Sequence, residues 1–315
     1  MDINSAPSNL ATAIRQKALS LGFTACGYAS VADVPDAVMQ RWQEWISQGK
    51  HDTMSYMERY AAVRHNPQEL LSGAQSVISL ALNYYPEQKL PPQNPRLAYY
   101  AYGADYHEVM KEKMQQLVAY IQSIATCDCR ICCDTAPIFE RYWATQAGIG
   151  FVGRNSCLIL PGQGSYFFLG EILTTLHLPA AQPLEKACGD CRRCIDACPV
   201  KAICDDQTID ARRCISCQTI ENRGDISPEV AAKLGRRVYG CDTCQEVCPH
   251  NLHAKPTKVV AFQPREALQT LTYKKMRELT REEFSAIFRQ SAVKRAKYEG
   301  LMRNLSYLDA RLFEE

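Results

Sequence analysis

The sequence has no run of eighteen or so uninterrupted apolar residues, the length a membrane-spanning helix requires. Its first residues, Met1-Asp2-Ile3-Asn4-Ser5, carry neither a basic segment nor an apolar core. Neither secretion nor twin-arginine export is therefore expected, and the protein is placed in the cytoplasm, away from any membrane. Internal repeats and low-complexity tracts are missing. What is left is an ordinary globular chain of 315 residues, long enough for two or three cooperating units. A strong net charge is missing too, since 36 Lys+Arg against 34 Asp+Glu leave +2. That balance conceals an asymmetry. Between Lys255 and Arg303 there are 12 Lys/Arg and 5 Glu, a local +7, which leaves −5 for the remainder. A basic C-terminal region of this kind suits either a polyanion or a solvated helical face.

Cysteine, by contrast, is abundant: sixteen residues, more than half of them between Cys188 and Cys248. In a small secreted protein this would mean disulfides. In a long chain without an export signal it favours thiolate ligands to metal.

Helical spacing of Leu10, Ile14, Ala18 and Leu21 predicts a helix over 8–21, closed by Gly22. Val77 to Leu82 reads as a buried strand, His107 to Ile124 as a long amphipathic helix, and Ala136 to Ala147 as another helix stopped by Gly148 and Gly150. Leu158-Ile159-Leu160 and Phe167 to Thr175 read as strands around a Pro161-Gly162 turn. The alternation predicts an α/β (α+β) unit over residues 1–178. A linker, Pro179 to Pro183, leads into a cysteine-rich block within 179–255. That block has few periodic elements and must draw much of its folding energy from metal. Residues 256–315 form a basic helical segment, with Arg281 to Gln290 and Ala292 to Leu305 as its clearest helices.

The first cysteine run is Cys188-x2-Cys191-x2-Cys194-x3-Cys198-Pro199, the bacterial ferredoxin pattern in which the fourth thiolate serves the other cluster. The second is Cys241-x2-Cys244-x3-Cys248-Pro249, with its first cysteine displaced upstream to Cys214 or Cys217. The crossed pattern assigns Cys188, Cys191, Cys194 and Cys248 to one [4Fe–4S] cluster. The other takes Cys198, Cys241, Cys244 and either Cys214 or Cys217. Structural zinc also uses C-x2-C pairs but has no need of a third cysteine and a Cys-Pro ending. Cys127, Cys129, Cys132 and Cys133 lack that ending and read as small hydrophobes beside a strand edge. Cys26, Cys157 and Cys204 are read as non-ligating.

A free-standing carrier does not need the long segment before Cys188, so a reactive site is expected there. Asp134 lies ahead of a predicted helix whose first turn contains Pro137, which makes it an N-cap. Alternatively it is a carboxyl group that burial keeps protonated for delivery to a reactive centre. Gly148-x-Gly150 to Ser156 lacks the spacing of a dinucleotide loop; its glycines could let backbone approach a large planar cofactor.

Asp134-Thr135-Ala136-Pro137 with Glu140-Arg141, Gly150-Phe151-Val152-Gly153-Arg154-Asn155-Ser156, Leu169-Gly170-Glu171-Ile172-Leu173 and the two cysteine runs together resemble the epoxyqueuosine reductase family. So do Met54-Ser55-Tyr56-Met57, Arg64-His65-Asn66-Pro67, Tyr102 to His107 and the closing Arg295 to Asn304. The resemblance spans nearly the whole chain. It implies a cobalamin-binding domain fused to a ferredoxin-like module carrying two [4Fe–4S] clusters, and reduction of epoxyqueuosine in tRNA to queuosine. It also implies Asp134 as proton donor and Cys214 as the remaining cluster ligand. Cobalamin contacts are implied at Arg64, Asp105, Asp134, Arg154, Asn155, Ser156, Leu158 and Ser216. The implied partners are a tRNA and an external electron donor such as a flavodoxin or ferredoxin, acting on a monomer. Arg154 replaces the family's usual lysine, which changes geometry while keeping charge. Asp105-x-His107 is followed by Met110 where a cobalt-binding D-x-H-x-x-G motif has glycine, so His107 is read as a helix-start residue. Lys294, Arg295, Lys297 and Arg303 are expected to hold tRNA phosphates without the helical-repeat extension some members carry. Two other classes share features: a corrinoid reductive dehalogenase of small molecules, and a non-catalytic ferredoxin-type carrier.

Overall fold

A computed structural model describes residues 7–314. The N-terminal Met1–Ser5 stretch that argues against export lies outside them. Helix α1 (Pro7–Ser20) ends where Gly22 takes φ 95°. Then come β1 (Ala25–Ser30), α2 (Asp36–Ser47), α3 (Ala61–His65), β2 (Ser76–Asn83), β3 (Arg96–Leu97), α4 (Tyr106–Ile124), β4 (Cys129–Cys132) and α5 (Glu140–Gln146). Strands β5 (Phe151–Val152), β6 (Leu158–Ile159) and β7 (Phe167–Thr174) complete this part.

Strands β1, β2, β7 and β4, in that spatial order, form one sheet with every pairing antiparallel. The unit is therefore α+β rather than a parallel α/β layer. Alternation of helices and strands in sequence leaves strand direction open whenever the connections are long. Both faces are covered, which is why β2 is a continuous buried run rather than an alternating one. Ile78, Leu80 and Leu82 pack with α1 and α4, while Val77 meets Trp143 of α5 and Met39 of α2. Truncating a fully buried side chain such as Leu80 to alanine costs about 2–5 kcal/mol. A Cβ at Gly170 would stand 2.8 Å from Met114 Sδ and 2.9 Å from Met110 Cε, so a side chain there would push aside the two methionines by which α4 lies on β7.

Residues 136–139 are not helical, and α5 begins at Glu140. Asp134 sits at φ 55° in the left-handed region, and tight turns bond Thr135 N–H to the Cys133 carbonyl and Ile138 N–H to the Ala136 carbonyl. Pro137 thus belongs to a loop, and Asp134 caps no helix. The predicted helix over 292–305 also divides. A 3-10 turn, Ala292–Ala296, meets a helix over Lys297–Ser306 at Lys297, where φ is 61°.

The cysteine-rich block contains α6 (Arg193–Ala197), α7 (Ile215–Ile220), β8 (Arg237–Tyr239) and short turns. Strand β8 pairs in parallel with β3. Ile195, Ile215, Ile220, Val238 and Tyr239 share one apolar cluster with Ile78, Leu117, Phe262, Leu301 and Leu305. The block therefore leans on its neighbours as well as on metal. The closing helix docks through Asn304, fully buried, whose Nδ2 donates to the Thr219 and Val238 carbonyls at 2.8 and 2.9 Å. Arg303 donates to the Asn222 and Gln218 carbonyls at 2.7 and 2.9 Å. It is a structural clamp, not a free phosphate ligand. No helix among the described residues is long and apolar enough to cross a membrane.

Candidate active site and cluster ligands

Of the two ferredoxin-type runs, Cys194 lies on α6 and Cys244 on the helical turn Thr243–Glu246, while Cys188, Cys191 and Cys241 lie in the loops before them. Cys188, Cys191, Cys194 and Cys248 line one cavity with Arg154, Asn155 and His250, as the crossed ligand pattern requires. Burial raises the Cys194 and Cys248 thiols. The buried Nε of Arg154 has no protein partner, and that cavity is the space it borders. The remaining four also converge. Burial raises Cys214 to about 11, with Cys241 and Cys198 as charged neighbours that push it further the same way. Cys244 feels Cys157, Cys241 and Cys214. Cys217, by contrast, turns toward Asp52, whose Oδ2 is 4.0 Å from its sulfur. This separates the two residues that spacing leaves equivalent. Among the described residues no three His, Cys, Asp or Glu side chains close tightly enough to grip a single metal ion. Thiols spread over two such groups suit cubes larger than one zinc ion.

Cys127, Cys129 and Cys132 lie on or beside the edge strand β4, Cys127 Sγ standing 3.8 Å from Cys129 Sγ. Burial raises Cys129 and Cys132 to about 12, the environment of unreactive thiols.

The second centre surrounds Asp134. Asp105 caps α4, its Oδ1 accepting both the His107 N–H at 3.1 Å and the ring Nδ1 at 2.8 Å. The other ring nitrogen, Nε2, reaches Asp134 Oδ2 at 2.8 Å. Tyr106 stacks between the His107 ring (4.0 Å) and Phe168 (4.3 Å), and its hydroxyl also hydrogen-bonds to Asp134. From behind, Glu140 Oε1 accepts the Asp134 backbone N–H at 2.6 Å.

The electrostatics reverse the idea that burial keeps Asp134 protonated. Burial pushes its pKa up, but hydrogen bonds from His107 and Tyr106 and the His107 charge outweigh that and leave it below the ordinary carboxylate value. The proton is on His107, which its hydrogen bonds to Asp105 and Asp134 raise to about 9 against burial. Asp105 is lowered by the same bond. Glu140 is raised by burial to about 7. Glu171, fully buried on β7 and accepting from Ser79 Oγ at 3.1 Å, is raised well above the usual range by burial.

Asp134 is also within electrostatic reach of Tyr56 and Arg295. Arg295 lies 5.7 Å from the Tyr56 ring centroid and grips Glu221 with Nη2 at 2.6 Å. Glu221 caps the end of α7, and Cys214 caps its start. The Asp134 cleft and the second group of thiols therefore sit at one helix.

Arg64 is buried, with its guanidinium over Trp42 and Phe139 at 5.8 and 5.6 Å. It has no carboxylate partner among the described residues. Arg154 and Asn155 face the cavity of the first four thiols, and their side chains and that of Ser156 also anchor their loop. They donate to the Gly189, Cys244 and Gln207 carbonyls at 2.8, 3.4 and 2.8 Å, stitching the loop to the cysteine-rich block. Leu158 is buried in a small apolar cluster, and Ser216 lies in the first turn of α7. Any contact these five make with a cofactor falls to their backbone or to exposed edges.

For a corrin, the relevant donor chemistry is at His107. Both its ring nitrogens are held by carboxylates, so it offers cobalt nothing, in keeping with the reading of His107 as a helix-start residue. Sequence reasoning did not assign His107, Tyr106 and Glu140 to the site. The short spacing of Asp105 and His107 was the only local sign of the first. The others meet Asp134 through the fold.

A family model described as epoxyqueuosine reductase QueG, DUF1730 matches residues 64–135, and one described as 4Fe-4S double cluster binding domain matches residues 187–251. The epoxyqueuosine reductase of Leadbetterella byssophila is 42% identical over 296 residues, which cover 94% of this chain and 97% of that one. The Escherichia coli epoxyqueuosine reductase is 36% identical over 313 residues, 97% of this chain and 81% of its own. A crystal structure of an epoxyqueuosine reductase with a tRNA-Tyr epoxyqueuosine-modified stem loop has a TM-score of 0.85 at 28% identity, covering 94% of this chain and 80% of that one. A Bacillus subtilis epoxyqueuosine reductase, described with its aspartate catalytic loop swung out of the active site, has a TM-score of 0.85 at 29% identity over the same shares.

Proposed function

The chain belongs to the epoxyqueuosine reductase family, and on that footing we propose how its residues perform the reaction. The protein is an oxidoreductase that reduces epoxyqueuosine in tRNA to queuosine. Two electrons and two protons are consumed, and the epoxide oxygen leaves as water. Bound cobalamin supplies the reducing centre at which the epoxide opens, and two [4Fe–4S] clusters supply its electrons.

The observation that carries the assignment of roles is the Asp105–His107–Asp134 chain, linked through Arg295 and Glu221 to one end of α7, the helix whose other end Cys214 caps. Asp134 passes a proton from His107 to the departing oxygen. Asp105 holds the imidazole in place and stabilises its charge. Tyr106 fixes the orientation of Asp134, and Glu140 fixes its backbone. The solved Bacillus subtilis relative, with a mobile aspartate catalytic loop, supports placing the acid on the 133–139 loop.

Cys188, Cys191, Cys194 and Cys248 hold the first cluster; Cys198, Cys214, Cys241 and Cys244 hold the second. Arg64, Asp105, Asp134, Ser216 and the Arg154–Leu158 loop would hold the cobalamin. Residues 1–178 form the reactor, 179–255 the electron wire and 256–315 the support. A flavodoxin or ferredoxin serves as donor, and the protein works as a monomer in the cytoplasm. Lys294 and Lys297, both exposed, remain for tRNA phosphate; Arg295 and Arg303 are engaged within the protein.

The test is turnover of epoxyqueuosine-containing tRNA by anaerobically loaded protein. Clusters without corrinoid binding would leave only a carrier, and activity on organohalides with none on the tRNA would leave a dehalogenase.

A further inference from the structure

We propose that Thr243 and Cys157, neither of them a cluster ligand, donate hydrogen bonds to ligand sulfurs of the second cluster and thereby raise its reduction potential. The inference rests on the assignment of Cys198, Cys214, Cys241 and Cys244 to that cluster. Hydrogen bonds to cluster sulfurs stabilise the more negative, reduced state, so each one makes reduction easier.

Thr243 Oγ1 lies 3.3 Å from Cys241 Sγ. Arg237 Nη2 donates to the same hydroxyl oxygen at 2.8 Å, and its Nη1 is anchored on the Leu234 carbonyl at 3.0 Å. With an oxygen lone pair taken by a guanidinium, the single hydroxyl hydrogen is polarised and left to point at the sulfur. The turn following Cys241 thus carries a charge-assisted donor aimed at a ligand.

Cys157 approaches from the other side. It lies just before β6 with its thiol beside the Cys244 sulfur, and that thiol donates to the Asn155 carbonyl at 3.8 Å. Asn155 holds that loop in register, its Oδ1 accepting the Cys157 N–H at 3.3 Å and its Nδ2 donating to the Cys244 carbonyl at 3.4 Å. Once Cys244 is an iron-bound thiolate it can only accept, so the Cys157 S–H becomes the donor.

The other two ligands receive backbone donors. Ala202 N–H reaches Cys198 Sγ at 3.3 Å, and the Ser216 and Cys217 N–H groups point at Cys214. Every sulfur of the second group therefore has a protein donor. In the first group backbone N–H groups serve Cys194 and Cys248, and no side-chain hydroxyl or thiol is bonded to any of the four among the described residues. The potential so adjusted is that of the cluster beside α7 and the Asp134 cleft.

The experiment is an anaerobic, EPR-monitored redox titration of the fully loaded protein. In Thr243→Val, which keeps shape and loses the donor, the midpoint of one cluster falls and the other stays put. Thr243→Ser restores it. Cys157→Ala lowers the same midpoint, and the double variant lowers it further. The affected signal is the one that disappears in Cys214→Ala. Unmoved midpoints in Thr243→Val with both clusters present overturn the inference alone. An unsubstituted protein that never holds about eight irons overturns the cluster assignment beneath it. Should Cys157→Ala lose its cluster, the two Thr243 variants still decide the matter.

Discussion

Nε2 of His107 and Oδ2 of Asp134 lie 2.8 Å apart although 27 residues separate them in the chain. One stands at the first turn of α4, the other in a loop after an edge strand. Their contact turns two ordinary side chains into a proton-holding pair, with Asp105 behind them.

Replacing Asp134 by Asn should keep the shape of the loop and remove the acid. Turnover is expected to fall about 10²–10⁴-fold, while iron content and corrinoid absorbance stay normal. Full activity in this variant would leave Asp134 a structural residue.

His107 carries the proton until the pH approaches about 9. Its folded pKa is raised, so the stability gained from the Asp105 and Asp134 bonds is complete below the unfolded value near 6.5 and is lost as pH rises through about 9. Turnover should decline on that same alkaline limb. In His107→Gln the limb should vanish from the pH–rate profile, with kcat reduced about 10–100-fold. NMR titration of the imidazole checks the assignment directly.

Glu140 is a half-buried acceptor for the Asp134 N–H, and desolvation has raised it to about 7. A raised carboxyl binds its proton more tightly when folded. Its contribution to stability is therefore present below the unfolded value near 4.5 and lost as pH climbs through 7. Glu140→Gln keeps an acceptor oxygen without the charge, so its Tm should exceed that of the unsubstituted protein increasingly above pH 7. Glu140→Ala frees the loop and should lower turnover at every pH. Equal Tm profiles for the Gln variant and the unsubstituted protein would contradict this account.

Cys214 faces Cys241 and Cys198, whereas Cys217 faces Asp52. Cys214→Ala should therefore drop iron from about eight to about four atoms per chain, and Cys217→Ala should leave it unchanged. Iron analysis of anaerobic preparations reads the difference.

Lys294 and Lys297 are free for phosphate, whereas Arg303 is a clamp. Alanine at both lysines should weaken tRNA binding and flatten the slope of log K against log salt by about 2. Arg303→Ala should instead cost about 1–3 kcal/mol of stability by unsatisfying buried carbonyls. Filter binding and thermal denaturation separate the two effects.

Much of this was legible in the chain itself. Ferredoxin spacing and the Cys-Pro endings mark out the double-cluster domain and seven candidate ligands within it, because a short loop wrapping a cube requires residues at those intervals. Apolar periodicity placed α1, β2 and α4 because hydrophobic burial repeats with the geometry of each element. Tertiary structure decided the rest. It turned Cys217 toward Asp52, made the sheet antiparallel, began the helix read over 136–147 at Glu140 rather than Ala136, and turned Arg303 inward. It also moved the proton from Asp134 to His107. Periodicity and spacing report neighbours a few residues apart. Ionisation and donor direction depend on which distant groups the folded chain brings within about 3 Å, and no local pattern records that.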